Sequence, residues 1–164
     1  MKGTGVTIHM VGDLILDEPE PDSYFISSRD VLRESDFLIG HVEVPHTRRG
    51  HIQSTDVPAP PADPDNLKAL GNAGFTTVSL AGNHIHDSGP EGIEDTIREL
   101  GALGIDSTGA GMNLAEARRP VIRERGSVRL GFLSYNCVGP REGWATSGKA
   151  GCAYLRILTH YELD

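Results

Sequence analysis

The chain has 164 residues, a length that suits one domain with a full hydrophobic core. Hydrophobic residues make up 38% of the sequence and charged residues 23%, which excludes a disordered or fibrous protein. The formal net charge of -8 argues against nucleic acid as a partner, because the sequence offers no general basic surface. The sequence shows neither a signal-peptide pattern nor a long apolar run, so we predict a cytoplasmic protein with no membrane segment.

The first part of the chain alternates between strand and helix patterns. Residues 6–16 are rich in β-branched and aliphatic side chains and predict a buried strand with Asp13 at its carboxyl end. The apolar spacing predicts a short helix over residues 24–35, and residues 37–44 form a second predicted strand. Residues 45–64 contain several prolines and no apolar period, so we expect a long loop, a feature that is usually functional or mobile.

Capping signals delimit the next helix. Asp63 as N-cap and Pro64 at the first helical position begin a helix that ends at Gly74. Residues 75–82 then predict a third strand, which continues the alternation.

A further helix opens near Pro90 and ends at Gly104. We expect Glu94 and Arg98 to pair on its exposed face, because residues four apart are neighbours on a helix. Its predicted inward-facing residues are Ile93, Ile97, Leu100 and Leu103.

The rest of the chain predicts shorter elements. Residues 105–111 form a short strand and turn, residues 113–120 a helical turn, and residues 120–136 a β-hairpin that turns at Gly126. Strands separated by helical segments indicate an α/β fold in which a β-sheet is covered by helices.

Polar side chains follow three of the predicted strands. Asp13 ends the first strand, Glu43 ends the second, and Asn83 and His84 follow the third. Ligands of α/β sheets bind outside the carboxyl ends of the strands, so we expect these side chains to meet in one crevice. Their oxygen and nitrogen donors suit Mn²⁺, Fe²⁺ or Zn²⁺ and also admit Mg²⁺ or Ca²⁺. Each residue alone also has a structural explanation, namely turn capping, solvation or a left-handed backbone.

Other residues are candidates for supporting roles. His41 lies on the same side of an extended strand as the second carboxylate, so it is a metal ligand, an outer-shell partner or a histidine at the rim. Arg48 and Arg49 in the long loop form a positive pair that suits an anionic substrate, with a solvated loop as the alternative. His86 and Asp87 either orient one another or cap the following helix.

Four motifs occur along the chain in a recognisable order. They are "VGDLILDEPEPDSYF", "GHVEVP", "LAGNHIHDSGPEGIEDTIRELGALGIDSTGAG" and "LGFLSYN". Together they resemble the bacterial capsule-synthesis protein CapA family, whose fold belongs with the calcineurin-like metallophosphoesterases. The resemblance covers residues 6 to about 136 and implies half of an αββα sandwich.

The resemblance implies roles residue by residue. Asp13, Glu43 and Asn83 match metal ligands of the family, so a divalent metal ion is the implied cofactor. His84 matches the histidine that contacts the phosphate and assists the leaving group in the wider superfamily. His41 stands where the family carries the Asn of its Asn-x-Glu motif.

The family also has a second half, with a Gly-His-His-type motif that completes the metal site and a second sheet. That part is missing from this sequence, which we interpret as a single domain over residues 1–164 truncated at its C-terminus. The chain is then either the N-terminal piece of a longer polypeptide or a reduced form that borrows ligands from another chain, as in a homo-oligomer.

Three functions agree with these observations. The first is a metal-dependent hydrolase-like protein of poly-γ-glutamate capsule biosynthesis, acting on a phosphoester or another small molecule. The second is a metal-dependent peptide epimerase of a natural-product pathway, which needs no organic cofactor and in which His84 exchanges the α-proton. The third is an inactive remnant that binds a metal or a partner.

Overall fold

The computed structural model describes residues 5–53, 57 and 59–156. The strands are β1 (Ile8–Leu14), β2 (Phe37–Val42), β3 (Thr77–Ser79), β4 (Asp106–Thr108), β5 (Ala110–Gly111), β6 (Val121–Arg125), β7 (Val128–Phe132) and β8 (Gly151–Cys152). The α-helices are α1 (Arg29–Arg33), α2 (Lys68–Ala73), α3 (Gly89–Ala102) and α4 (Leu114–Ala117). Short 3-10 helices lie at Pro21–Phe25, Pro64–Leu67 and Arg141–Gly143.

Strands β1 to β4 form one parallel sheet in the order β1-β2-β3-β4. In its register, Asp13 of β1 lies opposite His41 of β2, and His41 lies opposite Ser79 of β3. Because the strands are parallel, their carboxyl ends lie at one edge of the sheet. The predicted α/β class, with a sheet flanked by helices, is confirmed.

One hydrophobic core joins this sheet to its helices. Val42 and Val78 on the central strands are fully buried in the same cluster as Leu70 of α2 and Ile93 and Leu100 of α3. Five of the six residues of β2 are buried, which explains why its sequence is a nearly continuous apolar run. Removal of these side chains from water is the main force that holds the helices on the sheet.

The predicted β-hairpin is confirmed as the antiparallel pair β6 and β7, which turns at Gly126 with φ of +60°. It packs against the parallel sheet through an aromatic contact and through Arg123, which also donates to Thr77 of β3 at 3.2 Å. The rings of Phe132 and Phe37 lie 6.2 Å apart, and Arg123 forms a 3.0 Å ion pair with Asp106 of β4. The hairpin therefore belongs to the same folded unit as the sheet.

The predicted helix over residues 24–35 is not one continuous helix in the structure, so this prediction is wrong. The structure has a 3-10 helix at Pro21–Phe25 and a separate helix α1, with turns between them. Proline at the first position favours the early start, and Ser27 and Ser28 in the break are residues whose side chains compete for backbone hydrogen bonds.

The segment predicted as a short strand and turn over residues 105–111 is divided between two sheets. Strand β4 extends the parallel sheet, whereas β5 pairs with β8. Gly109 between them has φ of +100°, a left-handed conformation that glycine adopts readily and that redirects the chain. This change of direction lies in the segment for which a turn was predicted, whereas the entry of the chain into a second sheet was not predicted.

The surface of α3 differs from the expected pattern. Leu103 is 38% exposed rather than buried. Arg98 pairs with Asp95 and Glu99 instead of Glu94, which contacts a loop arginine. The side chain of Asp95 is only 4% exposed, so a buried carboxylate three residues away attracts Arg98 more strongly than an exposed one four residues away.

The long loop predicted over residues 45–64 is confirmed where the structure describes it, because residues 45–53 and 59–63 contain no strand or helix apart from an isolated bridge between His46 and Ala62. The rest of that prediction, residues 54–56 and 58, lies outside the described residues, as do residues 157–164 of the C-terminus. In the part of the chain that is described, no helix has the length and apolar character needed to cross a membrane.

Helix α4 begins with a reciprocal cap. The side chain of Asn113 accepts a hydrogen bond from the Glu116 backbone at 3.0 Å, and the Glu116 carboxylate accepts one from the Met112 backbone at 3.0 Å. We expect Asn113→Ala to lower the free energy of unfolding by about 1 kcal/mol, because the first turn loses its cap. Urea denaturation measures this loss, and Asn113→Ser, which keeps a side-chain oxygen for the cap, is the control; equal midpoints for Asn113→Ala and Asn113→Ser would contradict the capping role.

Candidate active site

The predicted site residues lie at the carboxyl edge of the parallel sheet. Asp13 is the penultimate residue of β1, Glu43 directly follows β2, and Asn83 and His84 lie in the segment that connects β3 to α3. The side chains of Glu43 and His84 are 17% and 22% exposed, and Asp13 is exposed. The sequence-based expectation that these segments meet at one edge therefore agrees with the topology.

His84 is held in one orientation by a buried carboxylate. Its Nδ1 lies 2.7 Å from Oδ2 of Asp87, whose side chain is only 6% exposed, and the backbone N–H of Ala59 donates to the same oxygen at 2.7 Å. An ionised carboxylate only accepts hydrogen bonds, so Nδ1 carries the hydrogen. The other ring nitrogen, Nε2, lies 3.9 Å from Oε1 of Glu43. The ring is thus oriented for proton exchange at Nε2.

The local sequence explains this arrangement. The connection between β3 and α3 makes a tight turn in which the backbone N–H of Asp87 donates to the carbonyl of His84 at 2.9 Å. Ile85 inside the turn is fully buried and anchors it to the core. A spacing of three residues across such a turn brings the imidazole and the carboxylate to the same side.

His41 belongs to a chain of hydrogen bonds that sequence reasoning missed. Its Nδ1 lies 3.1 Å from Oγ of Ser79, which lies 2.6 Å from Oγ of Ser134. Its Nε2 faces Gly82 so closely that a Cβ there would lie 2.7 Å from it. Register alone could have paired His41 with Ser79, whereas the approach of Ser134 depends on tertiary packing. The predicted role of His41 as ligand or outer-shell partner stays a prediction.

His86 and Asp87 do not orient one another as one interpretation supposed. Asp87 contacts His84 instead, and the N-cap position of α3 makes no side-chain cap hydrogen bond. Burial, followed by the charge of Lys149, lowers the pKa of His86. Its Cβ lies 3.5 Å from where a side chain at Gly143 would begin. His86 therefore packs against the C-terminal segment, while the charge of Asp87 partly opposes the lowering of its pKa.

The two loop arginines already have carboxylate partners. Each guanidinium contacts two carboxylates at distances between 2.6 and 2.8 Å. The partners are Asp63 and Asp65 for Arg48, and Glu94 and Asp95 for Arg49. These contacts hold the long loop against its neighbours, and an anionic substrate would have to compete with them. Anion binding by Arg48 and Arg49 stays a prediction.

The side chains at this edge of the sheet are of the chemical types that bind a divalent metal. They are too few to complete a metal site. Burial lowers the pKa of His41, and the carboxylates of Asp13 and then Glu43 oppose that effect, so both acids act on the same imidazole. Carboxylate and amide oxygens such as those of Asp13, Glu43 and Asn83 are ligands for hard divalent ions. Among residues 5–53, 57 and 59–156, however, no three His, Cys, Asp or Glu side chains form a group that could hold a metal ion.

The chain is thus an α/β protein. At the carboxyl edge of its parallel sheet it carries an oriented histidine beside acidic side chains. The family model of the bacterial capsule synthesis protein PGA_cap matches residues 7–156. The chain therefore belongs to this family.

Several relatives are similar to this chain. A "Capsule biosynthesis protein CapA" of Bacillus anthracis is 28% identical over 141 residues, which are 79% of this chain and 34% of the relative. A "PGA biosynthesis protein CapA" of Bacillus subtilis is 28% identical over 138 residues, which are 78% of this chain and 36% of the relative. A "Probable polyglutamine synthesis accessory protein" of Mycobacterium tuberculosis is 39% identical over 85 residues, 50% of this chain and 22% of the relative. The chain thus spans about a third or less of the length of these relatives.

Proposed function

We propose that this chain supplies the acid–base histidine and part of the divalent-metal site of a hydrolase that acts in the synthesis of an anionic capsule polymer. The observation that carries the proposal is the ring of His84, fixed at Nδ1 by the buried Asp87 with Nε2 turned toward Glu43. The names of the relatives, which refer to capsule, PGA and polyglutamine synthesis, support the biological setting.

The proton chemistry rests on residues of this chain. Asp87 holds the neutral ring in one tautomer and stabilises the imidazolium that forms when Nε2 takes up a proton. Nε2 takes that proton from the attacking water and gives it to the oxygen of the departing group, so the histidine ends the reaction in its starting form. The Glu43 carboxylate lies 3.9 Å from Nε2, so an acidic side chain adjoins the nitrogen that exchanges the proton.

Asp13, Glu43 and Asn83 are the residues that would hold the metal, as Mn²⁺, Fe²⁺, Zn²⁺, Mg²⁺ or Ca²⁺. A bound divalent ion supplies an activated water and polarises a substrate oxygen. The metal needs further ligands beyond these three side chains. In this proposal, those ligands come from outside the described residues. The short span of the chain relative to its relatives is compatible with that arrangement.

The test measures Mn²⁺ binding and hydrolysis on the same preparation. Electron paramagnetic resonance counts the free Mn²⁺, and release of nitrophenol from an aryl phosphate reports the reaction. We expect Glu43→Gln to weaken Mn²⁺ binding about ten-fold or more, because a neutral amide replaces a charged ligand. Glu34→Gln is the matched control, since Glu34 is exposed at the other end of the sheet, just before β2.

The two measurements separate the parts of the proposal. Equal Mn²⁺ affinity of Glu43→Gln and wild type would contradict the metal role of Glu43. Tight Mn²⁺ binding without hydrolysis of any phosphoester would contradict the hydrolase while leaving the metal site intact.

A further inference from the structure

A pocket of about 580 Å³ lies between the carboxyl end of β1 and the short helices that follow it. Its inner wall is apolar and is formed by Leu14, Leu16, Phe25 and Leu32, of which the last three are buried. Ile15 and Tyr24 also line the pocket and are 41% and 47% exposed, so they lie at its opening. A volume of this size is typical of a small-molecule site. We call it the β1 pocket.

The course of β1 explains how consecutive residues reach the same pocket. In a regular strand, adjacent side chains point to opposite faces of the sheet. Strand β1 is at the edge of the sheet, its pairing with β2 shifts in register between Met10 and Asp13, and the strand ends at Leu14. Such an irregularity redirects side chains. All five residues from Asp13 to Asp17 consequently line the pocket.

The polar groups of the β1 pocket are carboxylates and hydroxyls. They belong to Asp13, Asp17, Tyr24 and Ser28, and none of the lysines, arginines or histidines in the described part of the chain lines the pocket. The Tyr24 hydroxyl donates to Oδ1 of Asp17 at 3.1 Å, which joins the two sides of the pocket. Among the described residues, no ion pair involves Asp13 or Asp17. Two carboxylates without a basic partner therefore adjoin an apolar wall.

We propose that the β1 pocket binds an organic ammonium ion, a small amine cation that carries an apolar chain. The apolar wall removes the chain from water, and the two carboxylates attract the ammonium group. A cleft lined by charge of one sign concentrates ions of the opposite sign, and the net charge of -8 acts in the same direction. An organic anion of the same shape is repelled by these carboxylates and finds no basic group in the pocket.

This inference goes beyond the proposed hydrolase and does not depend on it. Asp13 is common to the β1 pocket and the candidate metal site, so an ammonium ion and a divalent metal would use the same carboxylate. The experiment is therefore carried out in a metal-free buffer. A failure of metal binding or of hydrolysis leaves its result unaffected.

Amide chemical shifts of the isotope-labelled full chain report on this binding. The chain is titrated with hexylammonium, and the shifts are followed by nuclear magnetic resonance. We expect saturable changes concentrated at residues 13–17 and 24–28, with a Kd on the order of 1 mM for so small a ligand. Longer alkyl chains should bind more tightly, by about four-fold for each further CH₂ group that is buried. Hexanol should bind more weakly than hexylammonium, and hexanoate more weakly still.

Two variants separate the charge of the pocket from its shape. Asp17→Asn still accepts from Tyr24 but loses its charge, so the Kd of hexylammonium should rise about two- to five-fold while that of hexanol stays the same. Ser28→Leu fills part of the pocket and should weaken both ligands about ten-fold. Ser28 makes no side-chain cap hydrogen bond to α1, so this substitution leaves the helix intact. Asp30→Asn removes the same charge at an exposed position of α1 outside the pocket and is the control.

Several results would overturn the proposal. They are hexanoate binding as tightly as hexylammonium, an equal Kd for Ser28→Leu and wild type, and amide shifts that lie away from the pocket. An equal loss of affinity in Asp17→Asn and Asp30→Asn would also contradict it, because the net charge of the chain rather than the pocket would then attract the cation. Circular dichroism of each variant checks that the fold is retained.

Discussion

Replacing His84 by Gln is expected to reduce metal-dependent hydrolysis about 10²- to 10⁴-fold, the usual contribution of a general acid–base residue. Gln preserves a polar side chain of similar length but cannot exchange a proton at the position of Nε2. The measurement is kcat on an aryl phosphate with Mn²⁺ at saturating concentration. Substrate affinity should change little if His84 acts mainly in the transition state.

Asp87→Asn separates orientation from proton transfer. The amide can still bond to the imidazole, but it permits the wrong tautomer and no longer stabilises the charged ring. We expect a smaller loss of kcat than for His84→Gln, and little further loss in the double variant because the two residues act as a unit.

Two outcomes would contradict this assignment. Full activity of His84→Gln would remove the acid–base role. Incorporation of solvent deuterium into a peptide without cleavage would instead indicate proton exchange at carbon, the reaction of an epimerase.

The sequence predicted those parts of the fold that depend on local pattern. Asp63 and Gly74 delimit a helical segment as capping rules require, with the Asp63 side chain accepting from the Asp65 backbone and Gly74 at φ of +103°. The expected strand ends at Asp13 and Glu43 also follow from apolar runs of the right length. A turn within residues 105–111 was predicted, but the pairing of β5 with β8 was not, because it joins segments that are distant in the chain.

The sequence could not predict contacts between segments distant in the chain. Arg49 bonds to Asp95, 46 residues away, and this pairing depends on how the long loop returns to α3. The contact of Ser134 with Ser79 spans 55 residues and depends on the packing of the hairpin. By contrast, the His84–Asp87 pair is local, and a spacing of three residues before a helix is a signal that could have suggested it.

His46 is a fully buried histidine in the long loop, and we expect it to make the stability of the fold depend on pH. Its Nδ1 donates to the carbonyl of Val44 at 3.1 Å, and its backbone N–H donates to Thr96 at 2.8 Å. Among the described residues its Nε2 has no hydrogen-bond partner. Burial lowers the pKa of His46 from 6.5 to about 4, because a charged ring would lose its hydration.

This lowered pKa makes the fold sensitive to acid. Between pH 6.5 and about 4 the unfolded chain binds a proton at His46 while the folded chain does not, so stability falls as the pH falls through this window. The difference between the two pKa values corresponds to about 3 kcal/mol of unfolding free energy. Above pH 6.5 the ring is neutral in both states and contributes no pH dependence.

Urea unfolding at a series of pH values tests this assignment. His46→Leu is expected to unfold with a shallower pH dependence than wild type between pH 6.5 and 4, whatever its absolute stability, because carboxylates contribute equally to both proteins. His51→Leu, at an exposed position of the same loop, is the control and should keep the wild-type slope. Parallel curves for wild type and His46→Leu would show that the acid sensitivity arises elsewhere.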